Sequence, residues 1–202
     1  MIKIVSDRYP EKGMMDMGKA EDTLIATLLS ARTTDKQVLR VYPVLRKRFP
    51  TMKALAEASL EELGVILRPI GFYNVKAKSV KALAKQLLDN FNGIVPHTIE
   101  ELMTLPGVGR KTASCVLAYA FKIPAIAVDT HVFRVVHRLG WSKGKTPIEV
   151  ERDLRAGIPE YLWIEVNRTI VQFGREICKP GRPQCEKCPL AKWCVYPNKP
   201  KI

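Results

Sequence analysis

The sequence is poor in the features that mark membrane, secreted and β-rich proteins. Its 202 residues contain no apolar run long enough to cross a membrane, and the first segment, MIKIVSDRYPEKG, lacks the apolar core of a signal peptide. Only residues 123–128, IPAIAV, resemble a β-strand, and no internal repeat or low-complexity linker interrupts the chain. These absences predict a globular, cytoplasmic protein of the all-α class.

Apolar residues at helical spacing fill most of the chain. The predicted helices span residues 20–30, 35–49, 79–91, 98–105, 110–120, 130–140, 146–158 and 161–177. Pro43 lies within the second of these and should kink or divide it, because proline lacks the N–H that a helix interior needs. A break near residues 121–124 suggests a boundary between two parts of the chain.

Start and stop signals support these helices. The segments SLEE at 59–62 and TIEE at 98–101 have the spacing of capping boxes, in which two side chains satisfy the free N–H groups of a helix start. Asp129 is a good N-cap for the helix that follows it. Asn92 and Gly140 stand where helices should end.

Positive charge is in excess. Lys and Arg number 33 against 20 Asp and Glu, which gives a formal net charge of +13. A basic balance of this size favours a polyanionic partner such as nucleic acid, although a soluble basic protein without such a partner is the alternative.

Four of the five cysteines share one short C-terminal segment, with the spacing C-x6-C-x2-C-x5-C. They are Cys178, Cys185, Cys188 and Cys194. In a cytoplasmic protein, clustered cysteines favour a metal site over disulfides. Zinc and an iron–sulfur centre both suit four thiolates, and the presence of a single short CxxC pair favours the bulkier centre. Cys115 stands alone inside a predicted helix and should be a buried apolar residue.

Residues 98–120 predict two helices joined by a glycine turn, Pro-Gly-Val-Gly. The N-terminus of the second helix offers backbone N–H groups and a positive dipole end, and Gly107 and Gly109 let a ligand approach the backbone closely. A phosphate suits such a place. The alternative is a tight helical turn without a ligand.

Lys111 and Asp129 are candidate catalytic residues. Lys111 lies in the first turn of the second hairpin helix, where the dipole and partial burial would both lower its pKa and favour the neutral, nucleophilic amine. An exposed lysine on a phosphate is the alternative. Asp129 is predicted as an N-cap, and its carboxylate could also stabilise a cationic sugar.

The string LPGVGRKTA at 105–113, followed by VDTHVFRV at 128–135, resembles the helix-hairpin-helix signature of the endonuclease III family, with Asp129 placed 18 residues after Lys111. The resemblance extends from about residue 20 to 196. It includes LLSARTTD (28–35), IGFYNVKA (70–77), NGIVP (92–96) and the cysteine spacing.

The resemblance implies two helical domains with a DNA groove between them. Residues 21–123 would form a helical barrel domain that contains the hairpin, and residues 1–20 with 124–202 would form a cluster domain. It also implies a [4Fe–4S] cluster on the four C-terminal cysteines, with Cys115 excluded as a ligand.

The reaction implied is that of a bifunctional DNA glycosylase and AP lyase in base excision repair. Such an enzyme removes oxidised pyrimidines from double-stranded DNA and nicks the strand 3′ to the abasic site by β-elimination through a Schiff base. Lys111 would be the nucleophile and Asp129 would assist. We expect a monomer in the cytoplasm of a prokaryote, with no membrane partner and with its substrate in the nucleoid.

The resemblance also implies a set of DNA contacts. These residues are Arg32, Phe72, Gly107, Val108, Gly109, Arg110, His131 and Arg134. Arg32 is a departure, because the family often has Gln there to fill the space left by the flipped base. Phe72 stands at a wedge position that is often leucine, where it could stack between bases or pack in the core.

Two alternatives differ in their chemistry. A monofunctional mismatch glycosylase of the same superfamily typically has Ser or Tyr at the position of Lys111, so the lysine argues against it. A non-catalytic DNA-binding module with structural zinc would have the same basic charge and cysteines.

Overall fold

The computed structural model of the chain describes residues 1–9 and 15–197. The described residues contain helices, turns and irregular segments but no β-strand, which confirms the predicted all-α class. Residues 10–14 and 198–202 of the predicted cluster domain lie outside the described residues.

The helices follow one another with short connections. They are α1 (Ile2–Ser6), α2 (Ala20–Leu29), α3 (Asp35–Arg48), α4 (Met52–Glu57), α5 (Leu60–Leu67), α6 (Tyr73–Phe91), α7 (Ile99–Thr104), α8 (Arg110–Ala120), α9 (Thr130–Arg138), α10 (Pro147–Gly157), α11 (Trp163–Glu165) and α12 (Val171–Glu176). A π-helical segment, Val166–Ile170, joins α11 to α12, and 3₁₀ turns lie at Glu160–Leu162, Cys185–Lys187 and Ala191–Trp193. Among the described residues, none of these helices has both the length and the apolar character that a membrane span requires.

The described residues 15–121 form one compact unit. In it α6 packs against α4 and α5, and α2 packs against α8. The side chains at the centre are almost entirely leucine and isoleucine. The largest fully buried ones are Leu24, Ile25, Leu29, Leu45, Leu55, Leu63, Leu67, Ile70, Leu83, Leu87 and Leu102. Burial of each such side chain contributes about 2 kcal/mol of transfer free energy, so this core fixes the hairpin helices in place.

Residues 1–9 and 122–197 form the other unit. Its core gathers α9, the π-helical segment and α12 around valines and Phe173. The fully buried members of this core include Val132, Val135, Val136, Val150, Leu154, Val166, Ile170 and Phe173. The cysteines Cys178, Cys188 and Cys194 pack against it from one side.

Several helix starts are those that the sequence predicts. Ser59 and Glu62 form a complete capping box, in which Glu62 N–H donates to Ser59 Oγ at 3.1 Å and Ser59 N–H donates to Glu62 Oε2 at 3.4 Å. At Thr98 only half of the predicted box forms, because Glu101 Oε2 accepts from the threonine hydroxyl rather than from its backbone N–H. Asn92, at φ 53°, ends α6 as expected.

Other helix predictions are wrong in detail. α6 begins at Tyr73 rather than at residue 79, because Phe72 adopts the left-handed conformation and acts as N-cap without a capping side chain. Pro43 does not divide α3, since it lies on the exposed side of the helix, where water can satisfy the carbonyl that loses its partner. The helix expected over 161–177 contains the π-helical segment.

We expect Ser59→Ala to lower the free energy of unfolding by about 1 kcal/mol, because the Glu62 N–H at the start of α5 loses its acceptor, the Ser59 hydroxyl. Ser59→Asn is the matched control, since asparagine caps as well as serine, and it should stay close to the parent. Urea unfolding of the three proteins measures the difference. Equal stability of the alanine variant and the parent would contradict the role of this box.

Candidate functional site

The glycine turn between α7 and α8 has the conformation that its sequence requires. Gly107 lies at φ +79°, a region that side chains disfavour, and a Cβ there would lie 3.1 Å from Ser79 Cβ and 3.2 Å from Leu28 Cδ1. The next residue, Val108, is buried and anchors the turn. The tight packing at Gly107 therefore fixes the angle at which α8 leaves the turn.

The start of α8 is open. Gly109 is its N-cap and supplies no side-chain cap, and a Cβ built there would meet no atom within 4 Å. The first bond of the helix runs from the Ala113 N–H to the Gly109 carbonyl at 3.0 Å. A helix start with open space in front of it is a place where backbone N–H groups and the helix dipole can hold an anion.

Lys111 lies in the first turn of α8, and its side chain is exposed. The partial burial expected for it from the sequence is therefore wrong for this structure. Exposure leaves the amine accessible to a ligand held at the helix start. Four residues further along the helix, Cys115 is buried, as predicted.

Arg32 and Phe72 lie close together in the same unit. Both adopt the left-handed conformation, at φ 53° and 58°, and the Arg32 guanidinium lies 5.5 Å from the centroid of the Phe72 ring. Phe72 is 58% exposed, so the alternative that it packs in the core is wrong. Two exposed side chains held in strained turns are typical of a contact surface rather than of a core.

Lys76 is a residue that sequence reasoning missed. It is 5% exposed, and its Nζ donates to Thr33 Oγ1 at 2.5 Å, which ties the turn that carries Arg32 to the helix that follows Phe72. Burial lowers the pKa of the Lys76 ammonium. Its burial could have been predicted from helical spacing, because Lys76 stands four residues before Val80 on the buried face of α6.

Asp129, in the other unit, is the N-cap of α9, as predicted. Its Oδ1 accepts from the N–H groups of His131 and Val132, both at 2.8 Å. Within the described residues, Oδ2 accepts no hydrogen bond and the side chain is half-buried. One carboxylate oxygen therefore holds the helix start, and the other is left for a ligand.

The two α9 residues expected to contact DNA are engaged inside their own unit. Arg134 donates from Nε to the Cys178 carbonyl at 3.0 Å and from Nη2 to the Gly174 carbonyl at 2.8 Å. Its Nη2 also lies 3.2 Å from His131 Nδ1. Burial is the largest cause of the lowered pKa of His131, against the opposing effect of Asp129. Arg134 thus joins α9 to α12 and to the cysteine segment.

The four C-terminal cysteines line one pocket, which has an empty volume of about 390 Å³ including the part open to solvent. Burial is the largest cause of the raised pKa of the thiols of Cys185 and Cys188, and the nearby cysteines raise both further. Four thiolates without a cation would repel one another here. Among the described residues, however, no group of three or more His, Cys, Asp and Glu side chains is arranged to hold a metal ion.

Arg138 closes this pocket. It donates from Nη1 to the Lys179 carbonyl and from Nη2 to the Pro180 carbonyl, both at 2.7 Å, and Nη1 lies 3.4 Å from Cys178 Sγ. The basic side chains Lys179, Arg182, Lys187 and Lys192 are exposed around the segment. The segment therefore turns its sulfurs toward the pocket and its positive charge toward solvent.

Comparison with known proteins agrees with this geometry. Residues 25–160 match the HhH-GPD superfamily of base excision DNA repair proteins. The chain is 44% identical over 173 residues to Endonuclease III of Thermotoga maritima. The aligned region covers 86% of this chain and 81% of that protein. The chain is 41% identical over 174 residues to Endonuclease III of Bacillus subtilis, covering 86% and 80%.

Solved structures give the same result. A trapped Endonuclease III–DNA covalent intermediate superposes with a TM-score of 0.91 at 40% identity, covering 96% of this chain and 92% of that one. A thermostable thymine-DNA glycosylase superposes with a TM-score of 0.87 at 25% identity, covering 96% and 94%. The chain is thus a base excision DNA repair protein of the HhH-GPD superfamily. Within that superfamily it belongs to the endonuclease III family.

The two turn glycines should separate stability from binding. Gly109→Ala should keep the melting temperature, because its Cβ meets open space, but should weaken binding to duplex DNA about tenfold by obstructing a phosphate. Gly107→Ala should lower the melting temperature, because of both its positive φ and its crowding. Thermal unfolding and gel-shift titration on the same duplex measure the two effects. Unchanged DNA affinity in Gly109→Ala would remove the start of α8 from the interface.

Proposed function

We propose that this protein removes oxidised pyrimidines from double-stranded DNA and then cleaves the strand 3′ to the abasic site. It is a bifunctional DNA glycosylase and AP lyase of base excision repair. The observation that carries the proposal is an exposed lysine, Lys111, in the first turn of a helix whose start is open to an anion. A phosphate held at that start would bring the sugar backbone to the amine.

Lys111 acts as the nucleophile. Its amine forms a bond to C1′ of the damaged nucleotide while the bond from C1′ to the base breaks, and the base leaves. Opening of the sugar ring gives a Schiff base. Loss of a proton from C2′ then breaks the bond to the 3′ oxygen, which nicks the strand. A monofunctional glycosylase, the alternative, forms no Schiff base and would not need a lysine at this position.

Asp129 assists the loss of the base. Two backbone N–H groups hold its Oδ1, whereas Oδ2 has no hydrogen-bond partner within the described residues. A fixed carboxylate stabilises the positive charge that develops on the sugar as the base departs. The charge is in place before the reaction, so no reorganisation is needed during the step.

The DNA contacts follow from the exposed parts of each unit. The turn Gly107–Val108–Gly109–Arg110 binds a phosphate, and Arg32 with Phe72 enters the duplex where the damaged base leaves the stack. His131, in the first turn of α9, and Arg134, one turn further along, contribute contacts from the other unit, and Arg134 also holds the cysteine segment.

The unit with the hairpin corresponds to the helical barrel domain expected over residues 21–123, and the unit with the cysteines corresponds to the cluster domain. Residues 15–20, which we expected in the cluster domain, lie in the unit with the hairpin. The protein works as a cytoplasmic monomer.

The four C-terminal cysteines hold a [4Fe–4S] cluster. All four line one pocket, and their spacing, with a single short CxxC pair, resembles that of the cluster segment of the endonuclease III family. The cationic core of such a cluster would compensate the repulsion among the thiolates. The cluster gives this segment its shape, and the exposed lysines and arginine around it can meet phosphate.

Lys111→Gln should abolish nicking of an abasic duplex while DNA affinity changes less than about threefold, because the hairpin and the basic surface stay intact. Lys85→Gln, which removes an exposed lysine from α6, is the matched control and should nick normally. Nicking and gel-shift affinity are measured on one duplex. Normal nicking by the glutamine variant would overturn the proposal.

Purified protein should contain about four irons per chain, the content of a [4Fe–4S] cluster. Cys188→Ser should lose most of this iron, whereas Cys115→Ala, a buried cysteine outside the pocket, should keep it. Elemental analysis and the visible absorption of the three proteins test the assignment. One zinc per chain without iron, in active protein, would favour the zinc alternative.

A further inference from the structure

Residues 125–128 lead directly into Asp129 and are buried, yet they belong to no helix or strand of the described part of the chain. One side chain instead bonds two of their backbone groups. Asn167 Oδ1 accepts from the Ala127 N–H at 2.7 Å, and Asn167 Nδ2 donates to the Ala125 carbonyl at 3.1 Å. This pair of bonds reproduces the contacts that a neighbouring strand would make.

Asn167 is itself firmly held. It is 2% exposed and lies in the π-helical segment Val166–Ile170, whose side chains are all buried. A π-helical turn carries one more residue than an α-helical turn, and such turns are frequent at functional sites. A regular helix over this span would direct the side chain at 167 differently.

The bonds from Asn167 end two residues before Asp129, and the bonds to Asp129 Oδ1 begin two residues after it. The backbone that carries the carboxylate is thus fixed on both sides. The direction of Oδ2 depends on both sets of bonds. The bonds to Oδ1 alone would leave the backbone before Asp129 free to shift.

We propose that Asn167 is a positioning residue that sets the Asp129 carboxylate for base release. This inference rests on the proposed role of Asp129 and adds a residue outside the hairpin and the cysteine segment. The opposing explanation is that Asn167 only stabilises the fold. The two differ, because a purely structural residue would lower the melting temperature without changing the chemical step in the folded protein.

The test uses the full-length protein carrying its cluster, with single-turnover base release, DNA affinity and melting temperature measured in parallel. Asn167→Leu is nearly isosteric and removes both bonds. Asn167→Asp keeps the acceptor for the Ala127 N–H and loses the donor to Ala125. Thr169→Val is the matched control, since Thr169 is equally buried in the same segment and its hydroxyl has no hydrogen-bond partner in the described part of the chain.

We expect Asn167→Leu to slow base release about tenfold to a hundredfold, the range typical of a misplaced catalytic group, with DNA affinity within about twofold. Asn167→Asp should fall between it and the parent, and Thr169→Val should match the parent. In the Asp129→Asn background, Asn167→Leu should cause no further loss, because the two residues act as one unit.

Three results would overturn the inference. They are a parental rate in Asn167→Leu, an equal loss of rate in Thr169→Val, and full additivity with Asp129→Asn. If the leucine variant fails to fold, the aspartate variant alone and with Asp129→Asn provides the same comparison. A parental rate in Asp129→Asn itself would instead refute the proposed function, so the two failures are distinguishable.

Discussion

A helix begins with backbone N–H groups that have no partner inside the helix, and this chain caps some of its helix starts with side chains and leaves another without a side-chain cap. Asp129 closes the start of α9 with its own carboxylate, and Ser59 closes α5 with a capping box. At α8 the cap is Gly109, which offers neither a side chain nor a Cβ. Because the helix start is left open, an anion from outside can take the place of a cap.

The basic residues of α9, of the start of α8 and of the cysteine segment form two groups, one bonded within the fold and one facing solvent. Arg134 and Arg138 face inward and donate to carbonyls around the cysteine segment, a task that suits the several donors of a guanidinium. Lys111 and the charged side chains around the cysteine pocket face solvent. Net charge therefore overstates the positive surface that DNA can meet, since part of it is committed to the fold.

Short sequence patterns predicted much of the fold and of the candidate site. The capping box at Ser59, the N-cap at Asp129 and the glycine turn depend on neighbouring residues, and the structure has all three. The cysteine spacing likewise predicted that the four thiols share one site, because a short segment keeps them close together. The structure places all four around one pocket. Resemblance to a family supplied the catalytic roles, which no spacing rule contains.

The features that could not be predicted from the sequence depend mainly on contacts between segments that are distant in the chain. Residues 123–128 have strand composition, but their partner is the side chain of Asn167, 40 residues beyond Ala127, and no pattern marks it. Lys76 is buried and donates to Thr33, 43 residues before it, and nothing in the sequence singles out that partner. Phe72 is exposed and has a left-handed backbone, a conformation that a bulky aromatic residue does not favour and that no local pattern predicts.

The proposed reaction depends on a covalent bond between the Lys111 amine and the sugar. Borohydride reduction of the protein with duplex DNA that contains an oxidised pyrimidine, followed by mass spectrometry of the digested adduct, tests it most directly. We expect one DNA adduct, on the peptide that contains Lys111, and none in the Lys111→Gln variant. An adduct on another residue, or base release by the parent without any adduct, would contradict it.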